Sequence, residues 1–162
     1  MSRFINTLAA AVSLLCVAGV SHAYVDAHVQ QYSNTASCAN CDLSGVELVN
    51  WAKTSAQLQN ANLSRANLSL SNLANTNFSN AIMTDARLVN TNFAGSNFTG
   101  ANLTFANLLG ANLVNTDLSG VRFYGANLTH ANLYASNFTE RQGKMAASIC
   151  HAIMPDGTRG DC

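Results

Sequence analysis

Apolar side chains recur at every fifth position along residues 41–140. From Leu43 to Phe138, 19 of the 20 positions in this frame are apolar, and the frame does not slip. The second residue before each of these centres is usually small, as at Ala61 and Ala101, and the residue between them is most often Asn. A typical unit therefore reads Ala-Asn-Leu-Ser/Thr-X, and chance does not produce such regularity over so long a stretch.

The five-residue period excludes both an ordinary long helix and a continuous strand. An α-helix turns about 100° per residue, so this period would spread the centres around its whole circumference. In a strand, neighbouring side chains face opposite ways, so an odd period would send successive centres to opposite faces. The chain must therefore turn a corner in every unit. A short strand would point the small residue and the centre inward, and the next two residues would form the bend.

The corner has its own signature, because the second residue after the centre is Gly or Asn in 12 of the 20 units. These two residue types tolerate positive φ best. Four corners close a square coil, so the repeats predict about five coils stacked about 4.8 Å apart into a rod about 24 Å long. The centres would then line one hydrophobic column in four rows. We expect one row to hold these residues: Leu58, Phe78, Phe98, Leu118 and Phe138.

Composition points to no electrostatic partner. Only 10% of the 162 residues are charged and the formal net charge is zero, whereas charged residues make up about 25% of a typical domain. We therefore expect neither nucleic acid nor an anionic membrane as a partner. The apolar content of 48% is enough for the core of one domain.

Residues 1–23 have the features of a signal peptide. Arg3 gives a positive start, residues 8–20 are mostly apolar, and small residues surround a cleavage point after Ala23. The apolar run is shorter than the roughly 20 residues that a spanning helix needs. We expect an exported chain, periplasmic or secreted, with no membrane contact beyond the signal peptide. An uncleaved anchor and a lipoprotein attached at Cys16 are the alternatives.

With its apolar residue at every fifth position, the sequence resembles the pentapeptide-repeat family. The family consensus Ala-Asp/Asn-Leu-X-X recurs almost literally in the units that begin at Ala101, Ala111 and Ala131. The resemblance covers residues 41–140 and implies an all-β fold, a single right-handed quadrilateral β-helix. It implies little about function, because members of the family do unrelated things.

The two flanks, residues 24–40 and 141–162, look like those of exported members of the family. We expect them to cap the open ends of the rod, with a short helix around residues 26–32 at one end and a disulfide-closed loop at the other. One unit departs from the pattern, because Trp51 and Lys53 stand where small and apolar side chains belong. We expect the first coils to be distorted there.

Four cysteines follow the predicted signal peptide, an even number that suggests two disulfides in an exported chain. Cys38-X-X-Cys41 could instead be a redox pair or half of a metal site, but zinc would need more ligands nearby. Cys150 and Cys162 belong to the other end of the rod, and a disulfide needs Cα atoms about 5.5 Å apart. We therefore expect Cys38 to pair with Cys41, and Cys150 with Cys162.

No constellation of residues indicates catalysis. His28, His130 and His151 are scattered, with no carboxylate or nucleophile at a spacing that would assemble a catalytic triad or an acid–base pair. We expect no enzyme activity, no cofactor and no metal site. The leading hypothesis is a non-catalytic binding or structural module for an unknown protein partner.

Two other function classes stay open. One is a thiol–disulfide redox protein that uses Cys38 and Cys41. The other is a DNA mimic like the cytoplasmic members of the family that protect DNA gyrase, which are thought to imitate DNA with an acidic rod. The neutral charge and the signal peptide disfavour the DNA-mimic hypothesis.

The outward positions suggest where a partner would bind. On the side that holds Phe78 and Phe98 they are polar throughout, whereas on two other adjacent sides several are apolar. Contiguous exposed apolar surface is a common mark of an interaction site. The alternative surface is the polar Ser/Thr ladder. The residues that we expect to bind the partner are Leu70, Val89, Phe105, Leu109 and Tyr124.

Overall fold

A computed structural model describes residues 22–162 as a stack of square coils with a short helix at each end. Helix α1 spans His22–Thr35 and helix α2 spans Glu140–Met145. Most of the predicted signal peptide lies outside the described residues. Within residues 22–162, no helix combines the length and hydropathy needed to cross a membrane.

Each side of a coil contributes a single bridged residue rather than a long strand. The bridges run parallel between equivalent positions of successive coils, from Ser37↔Gln57 to Asn112↔Asn132. The N–H of most centres donates to a carbonyl of the following coil, as from Phe78 to Asn97 at 2.7 Å. The four-sided coil predicted from the pentad frame is therefore confirmed, and its ladder starts at Ser37, inside the segment assigned to the N-terminal cap.

The corners are made by residues in the left-handed conformation. From Asn40 to Ala135, the second residue after every centre has φ between 52° and 71°. Gly and Asn adopt this region most readily, which explains why they are frequent at this position and confirms the predicted corner. Two bulky residues, Leu70 and Phe105, are held in the same conformation. For such side chains it is strained.

The core is one column of buried side chains, formed by the centres and the small residues that precede them. In the predicted row, the Phe78 and Phe98 rings stack with centroids 4.8 Å apart. Phe138, the last member, also packs edge-to-face against Phe123 of another row. All five predicted members are buried: Leu58, Phe78, Phe98, Leu118 and Phe138.

Buried hydroxyls tie neighbouring coils together on two of the sides. The small inward residue there is often Ser or Thr, and its hydroxyl donates to a backbone carbonyl near the corner of the preceding coil. Ser71 donates to Leu48 at 2.9 Å and Thr91 donates to Leu68 at 2.8 Å. These bonds satisfy polar groups that would otherwise destabilise the core.

An Asn precedes most centres, and its outward side chain makes two kinds of hydrogen bond. Its amide stacks on the Asn one coil earlier, as in the bonds from Asn92 to Asn72 at 3.0 Å and from Asn112 to Asn92 at 2.9 Å. Its oxygen also accepts the N–H two residues ahead, as Asn92 does from Ala94 at 3.2 Å. Asn therefore supports both the stack and the corner, which accounts for its frequency there.

The expected distortion at Trp51 and Lys53 is wrong, because Ala52 bridges to Asn72 in the same register as the sides before and after it. Helix α1 accommodates both side chains. Tyr32 is buried and stacks on the Trp51 ring at 5.9 Å. Lys53 Nζ donates to the carbonyl of Ser33 at 2.6 Å. The two residues match the cap helix instead of a neighbouring coil.

At the C-terminal end, α2 replaces one side of the last coil. Thr139 and Gln142 form a capping box at its start. The ladder resumes at Ser148 and Ile153, each one position later than the regular register would place it, and an antiparallel bridge from Ile153 to Arg159 closes the end. The segment predicted as a C-terminal cap therefore carries part of the ladder as well.

Candidate functional site

Phe105 and Tyr124 form an exposed aromatic contact on the surface of the rod. Their rings meet edge-to-face with centroids 5.6 Å apart, and the two residues are 57% and 55% exposed. Phe105 occupies a corner, and its N–H donates to the carbonyl of Tyr124 on the next coil at 2.9 Å. We call these two residues the aromatic pair. Both belong to the predicted partner-binding set.

The other three predicted residues form a separate group at the next corner. Leu70 is 56% exposed, but Val89 and Leu109 are partly buried. The bridged residues of one side, including Arg87 and Asn107, lie between this aliphatic group and the corner of the aromatic pair. The structure thus divides the predicted surface into two parts, because one side of the square separates its two corners.

The row that holds Val89 and Leu109 is less exposed than the pattern suggested. Ser69, at the equivalent position, is buried, and its hydroxyl bonds to Asn67 Oδ1 at 2.7 Å. The residue after a centre starts the bend, so its side chain usually lies partly against the corner, although Val49 and Tyr124 at this position are exposed. Exposure is greatest one residue further, where Leu70 and Phe105 stand.

A groove of about 800 Å³ adjoins the aromatic pair. It lies where α2 replaces a side of the coil, and Tyr124 belongs to both features. Its apolar lining includes Val121 and Met145, and its charged lining is Arg122 and Arg141. Within residues 22–162 neither arginine has an ion-pair partner, since Glu140 pairs with Lys144 at 2.6 Å.

Two backbone donors in the groove lining lack acceptors in the described part of the chain. In regular coils these N–H groups donate to carbonyls of the following coil, as Leu103 does to Arg122 and Gly100 does to Ser119. The equivalent N–H groups of Phe123 and Gly120 have no such bond, because α2 and the segment that leads into it occupy the place of the next coil. The groove therefore offers the unpaired edge of a ladder.

Asp117 is the carboxylate beside the groove. Hydrogen bonds from Ser119, through its hydroxyl and its N–H, and from Asn137 lower the pKa of Asp117 to about 2. Asn137 Nδ2 donates to it at 2.8 Å and Thr99 Oγ1 donates at 3.2 Å. These hydrogen bonds therefore stabilise the negative charge of Asp117, although its side chain is exposed.

Both predicted disulfides are present. The Cys38–Cys41 pair is buried, with residues 0% and 4% exposed. The Cys150–Cys162 pair is more accessible, and Cys162 Sγ lies 3.6 Å from Nε2 of His151. The histidine beside this second disulfide was not part of the expected site.

Sequence reasoning missed the groove and the environment of His151. The pentad frame stops at Phe138, so it contains no information on how α2 would sit. The rings of His130 and His151 stack at 5.2 Å on successive coils. A plain period of five would not align these two histidines, because α2 adds one residue to that coil.

Comparisons with known proteins agree with this architecture. The family model for pentapeptide repeats matches eight copies, over residues 54–88, 81–120 and 101–140. No curated protein sequence matches the chain. A solved pentapeptide repeat protein from the cyanobacterium Cyanothece 51142 is 31% identical, with a TM-score of 0.52, over 71% of this chain and 88% of that one.

Two further solved structures share the fold. A pentapeptide repeat protein from the thylakoid lumen of Arabidopsis thaliana is 24% identical, with a TM-score of 0.57, over 80% of this chain and 88% of that one. HetL, a pentapeptide repeat protein involved in heterocyst differentiation regulation in the cyanobacterium Nostoc sp. strain PCC 7120, is also 24% identical, with a TM-score of 0.50. The match covers 76% of this chain but only 53% of HetL. The coils therefore form a right-handed quadrilateral β-helix.

Proposed function

Because this chain belongs to the pentapeptide-repeat family, whose fold presents a rigid surface, we propose that it is an exported, non-catalytic module that binds a protein partner. The binding surface is the aromatic pair together with the adjoining groove. Export rests on the sequence of residues 1–23.

The exposed aromatic pair is the observation that carries this proposal. Aromatic side chains are enriched in the centres of protein interfaces, and a soluble rod gains nothing from exposing two of them side by side. Phe105 also occupies a left-handed corner, where Gly or Asn would be less strained. Strain and exposure at one residue both reduce stability, so binding offers a reason for Phe105 to be there.

The groove extends this surface and suggests the form of the partner. Unpaired N–H groups at a ladder edge donate to the carbonyls of an extended segment, which thereby adds to the ladder through backbone hydrogen bonds. Arg122 and Arg141 favour carboxylates on that segment, while Val121 and Met145 favour apolar side chains. A partner that contributes an extended segment with apolar and acidic residues fits this combination.

The two alternative functions have less support. A thiol–disulfide enzyme at Cys38–Cys41 needs a sulfur that a substrate can reach, and both residues are buried beneath α1. A DNA mimic needs an acidic rod, whereas the chain carries eight basic and eight acidic residues.

The proposal is tested by placing charges on the aromatic pair. Full-length protein and the variant Phe105→Glu/Tyr124→Glu are each immobilised. Each is then exposed to a periplasmic or extracellular extract and chemically cross-linked. The matched control, Thr54→Glu/Ser79→Glu, adds the same charge at outward positions on the other two sides.

We expect the cross-linked partner to disappear with the aromatic-pair variant and to persist with the control. Both variants should keep the circular dichroism spectrum and cooperative melting of the original protein, since none of the four side chains is in the core. Equal capture by all three proteins would refute the proposed surface. Loss of the partner from the control alone would move the surface to the opposite sides.

A further inference from the structure

Three potential metal ligands meet at the C-terminal end of the rod. Sγ of Cys150, Sγ of Cys162 and a ring nitrogen of His151 all lie within 4.8 Å of one another. In a zinc site, thiolates bind at about 2.3 Å and imidazole nitrogens at about 2.0–2.1 Å, so tetrahedral ligand atoms lie about 3.5 Å apart. Cys162 Sγ lies 3.6 Å from His151 Nε2 and 3.9 Å from Nδ1, so the imidazole is close enough to share a metal ion with the sulfur and needs only to rotate to aim one nitrogen at it.

Backbone hydrogen bonds hold these residues together independently of the disulfide. Ile153 and Arg159 form an antiparallel bridge. Gly160 donates its N–H to Ala152 at 2.8 Å and accepts one from His151 at 3.2 Å. A side chain at position 160 would collide with the backbone opposite. The hairpin that places the two cysteines side by side therefore does not depend on the S–S bond.

The imidazole also packs against a neighbouring ring. The ring of His130 stacks on that of His151 at 5.2 Å. His130 donates its N–H to the carbonyl of Cys150 at 2.9 Å, which ties both histidines to one coil edge. The charged residues adjacent in sequence, Arg159 and Asp161, have opposite signs. These two charges cancel, so they add no net positive charge that would oppose a bound cation.

We propose that reduction of the Cys150–Cys162 disulfide turns this end of the rod into a binding site for a divalent transition-metal ion such as Zn²⁺. A dithiol donor supplies two electrons and two protons and becomes a disulfide itself, while the S–S bond breaks and two thiols form. The metal ion then displaces both thiol protons and is held by two thiolates and the His151 ring. Water completes the tetrahedron.

The redox state controls this site. In the oxidised protein each sulfur is bonded to the other and no thiolate is available as a ligand. The other disulfide offers no equivalent, since within residues 22–162 only Cys150, His151 and Cys162 bring three ligand atoms of this kind together. Metal binding is therefore specific to the reduced C-terminal end.

A cobalt titration tests the proposal, because Co²⁺ bound to thiolates has a charge-transfer absorption that the free ion lacks. The protein is the full-length chain with Cys16, Cys38 and Cys41 changed to Ser, so that only the two proposed ligand cysteines remain. It is reduced with a phosphine, which takes up oxygen from water as the two thiols form, and the phosphine is removed before the titration.

We expect the absorption to saturate at one Co²⁺ per chain in the reduced protein, to disappear on addition of Zn²⁺, and to be absent from the oxidised protein. His151→Ala should weaken binding by more than about tenfold, whereas His130→Ala, which removes only a supporting contact, should weaken it less. Absence of the band from the reduced protein overturns the proposal, as does a band that His151→Ala leaves unchanged.

A second comparison covers the case in which the serine background does not fold. The same titration is made on the reduced original chain and on Cys150→Ser/Cys162→Ser. The proposal requires that this double substitution removes the absorption contributed by the C-terminal end. An identical titration for the two proteins would assign all cobalt binding to other cysteines and refute the site.

Discussion

At the scale of single residues, position within the pentad decides how much a side chain contributes to stability. Phe98 is a centre, fully buried between Phe78 and Phe93, whereas Thr99 follows it and is exposed. We expect Phe98→Ala to lower the free energy of unfolding by about 3–5 kcal/mol through lost burial and a cavity. Urea denaturation measures this change.

Thr54→Ala is the matched control, because Thr54 also directly follows a centre, is exposed and makes no side-chain hydrogen bond within residues 22–162; it should change the unfolding free energy by less than about 0.5 kcal/mol. Equal stability of Phe98→Ala and the unaltered protein would show that the centre is not in the core. The assignment of every row would then be incorrect.

Replacing a strained corner residue should raise the free energy of unfolding instead of lowering it. Leu70 is exposed and has φ of 63°, while the same corner one coil away on each side holds Asn50 and Asn90. Replacing Leu70 with Asn relieves a conformational strain of about 1 kcal/mol and removes little buried surface. The variant should therefore unfold at a higher urea concentration than the original protein. A lower midpoint would mean that Leu70 makes stabilising contacts at the corner.

Asp117 gives the molecule a specific response to acid. Hydrogen bonds from Ser119 first, and then from Asn137, hold its pKa at about 2, below its usual value of 3.8. The folded pKa is depressed, so the stabilisation is complete above about pH 4 and is lost as the pH falls towards 2. Its size is modest because the carboxylate is exposed.

The measurement is the difference in urea midpoint between the original chain and Asp117→Asn as a function of pH. This comparison is needed because Glu140 and Asp156 also have lowered pKa values. We expect the original chain to lose stability faster than the variant between about pH 4 and pH 2. Parallel curves would show that the carboxylate has no such role.

At the scale of elements, Gln142 attaches α2 to the coils. Its Nε2 donates to the carbonyl of Leu118 at 2.8 Å and to that of Val121 at 3.4 Å. The bond to Val121 takes the place of one from a next coil, as Ala101 accepts the N–H of Arg122 in a regular coil. Gln142→Ala leaves these carbonyls without that donor and also removes the capping box, so we expect a loss of about 1–3 kcal/mol.

Hydrogen exchange locates this effect. Amides of α2 and of the returning segment, residues 145–150, should exchange faster in Gln142→Ala, while those of the central coils keep their protection. Arg141→Ala is the control, because Arg141 makes no hydrogen bond within residues 22–162. Uniformly faster exchange along the whole rod would contradict a local role for Gln142.

The elements also show where sequence reasoning succeeds and where it stops. A repeat exposes its own geometry, since corner, strand and centre recur in one frame and each coil contacts only its neighbours. The caps do not repeat. Tyr32 meeting Trp51 and α2 standing in for a side of a coil depend on contacts between segments that share no period. The aromatic pair could be predicted from the frame, whereas the groove beside it could not.

At the scale of the whole molecule, a coil of four pentads sets the position of every side chain in the rod. The direct test removes one coil. Deleting residues 81–100 joins Asn80 to Ala101 and keeps the frame, so Leu70 and Phe105 remain at their corners; we call this the in-frame deletion. The out-of-frame deletion removes residues 81–98, nearly the same stretch of chain, but shifts the register by two positions.

Thermal unfolding followed by circular dichroism is the measurement. We expect the in-frame deletion to melt cooperatively, with a native spectrum and somewhat lower stability, because each coil adds its own burial and its contacts with neighbours. The out-of-frame deletion should lose most of its stability, because the two extra positions force a centre out of the core. Similar melting of the two deletions, or failure of the in-frame deletion to fold, would contradict the coil on which every surface assignment depends.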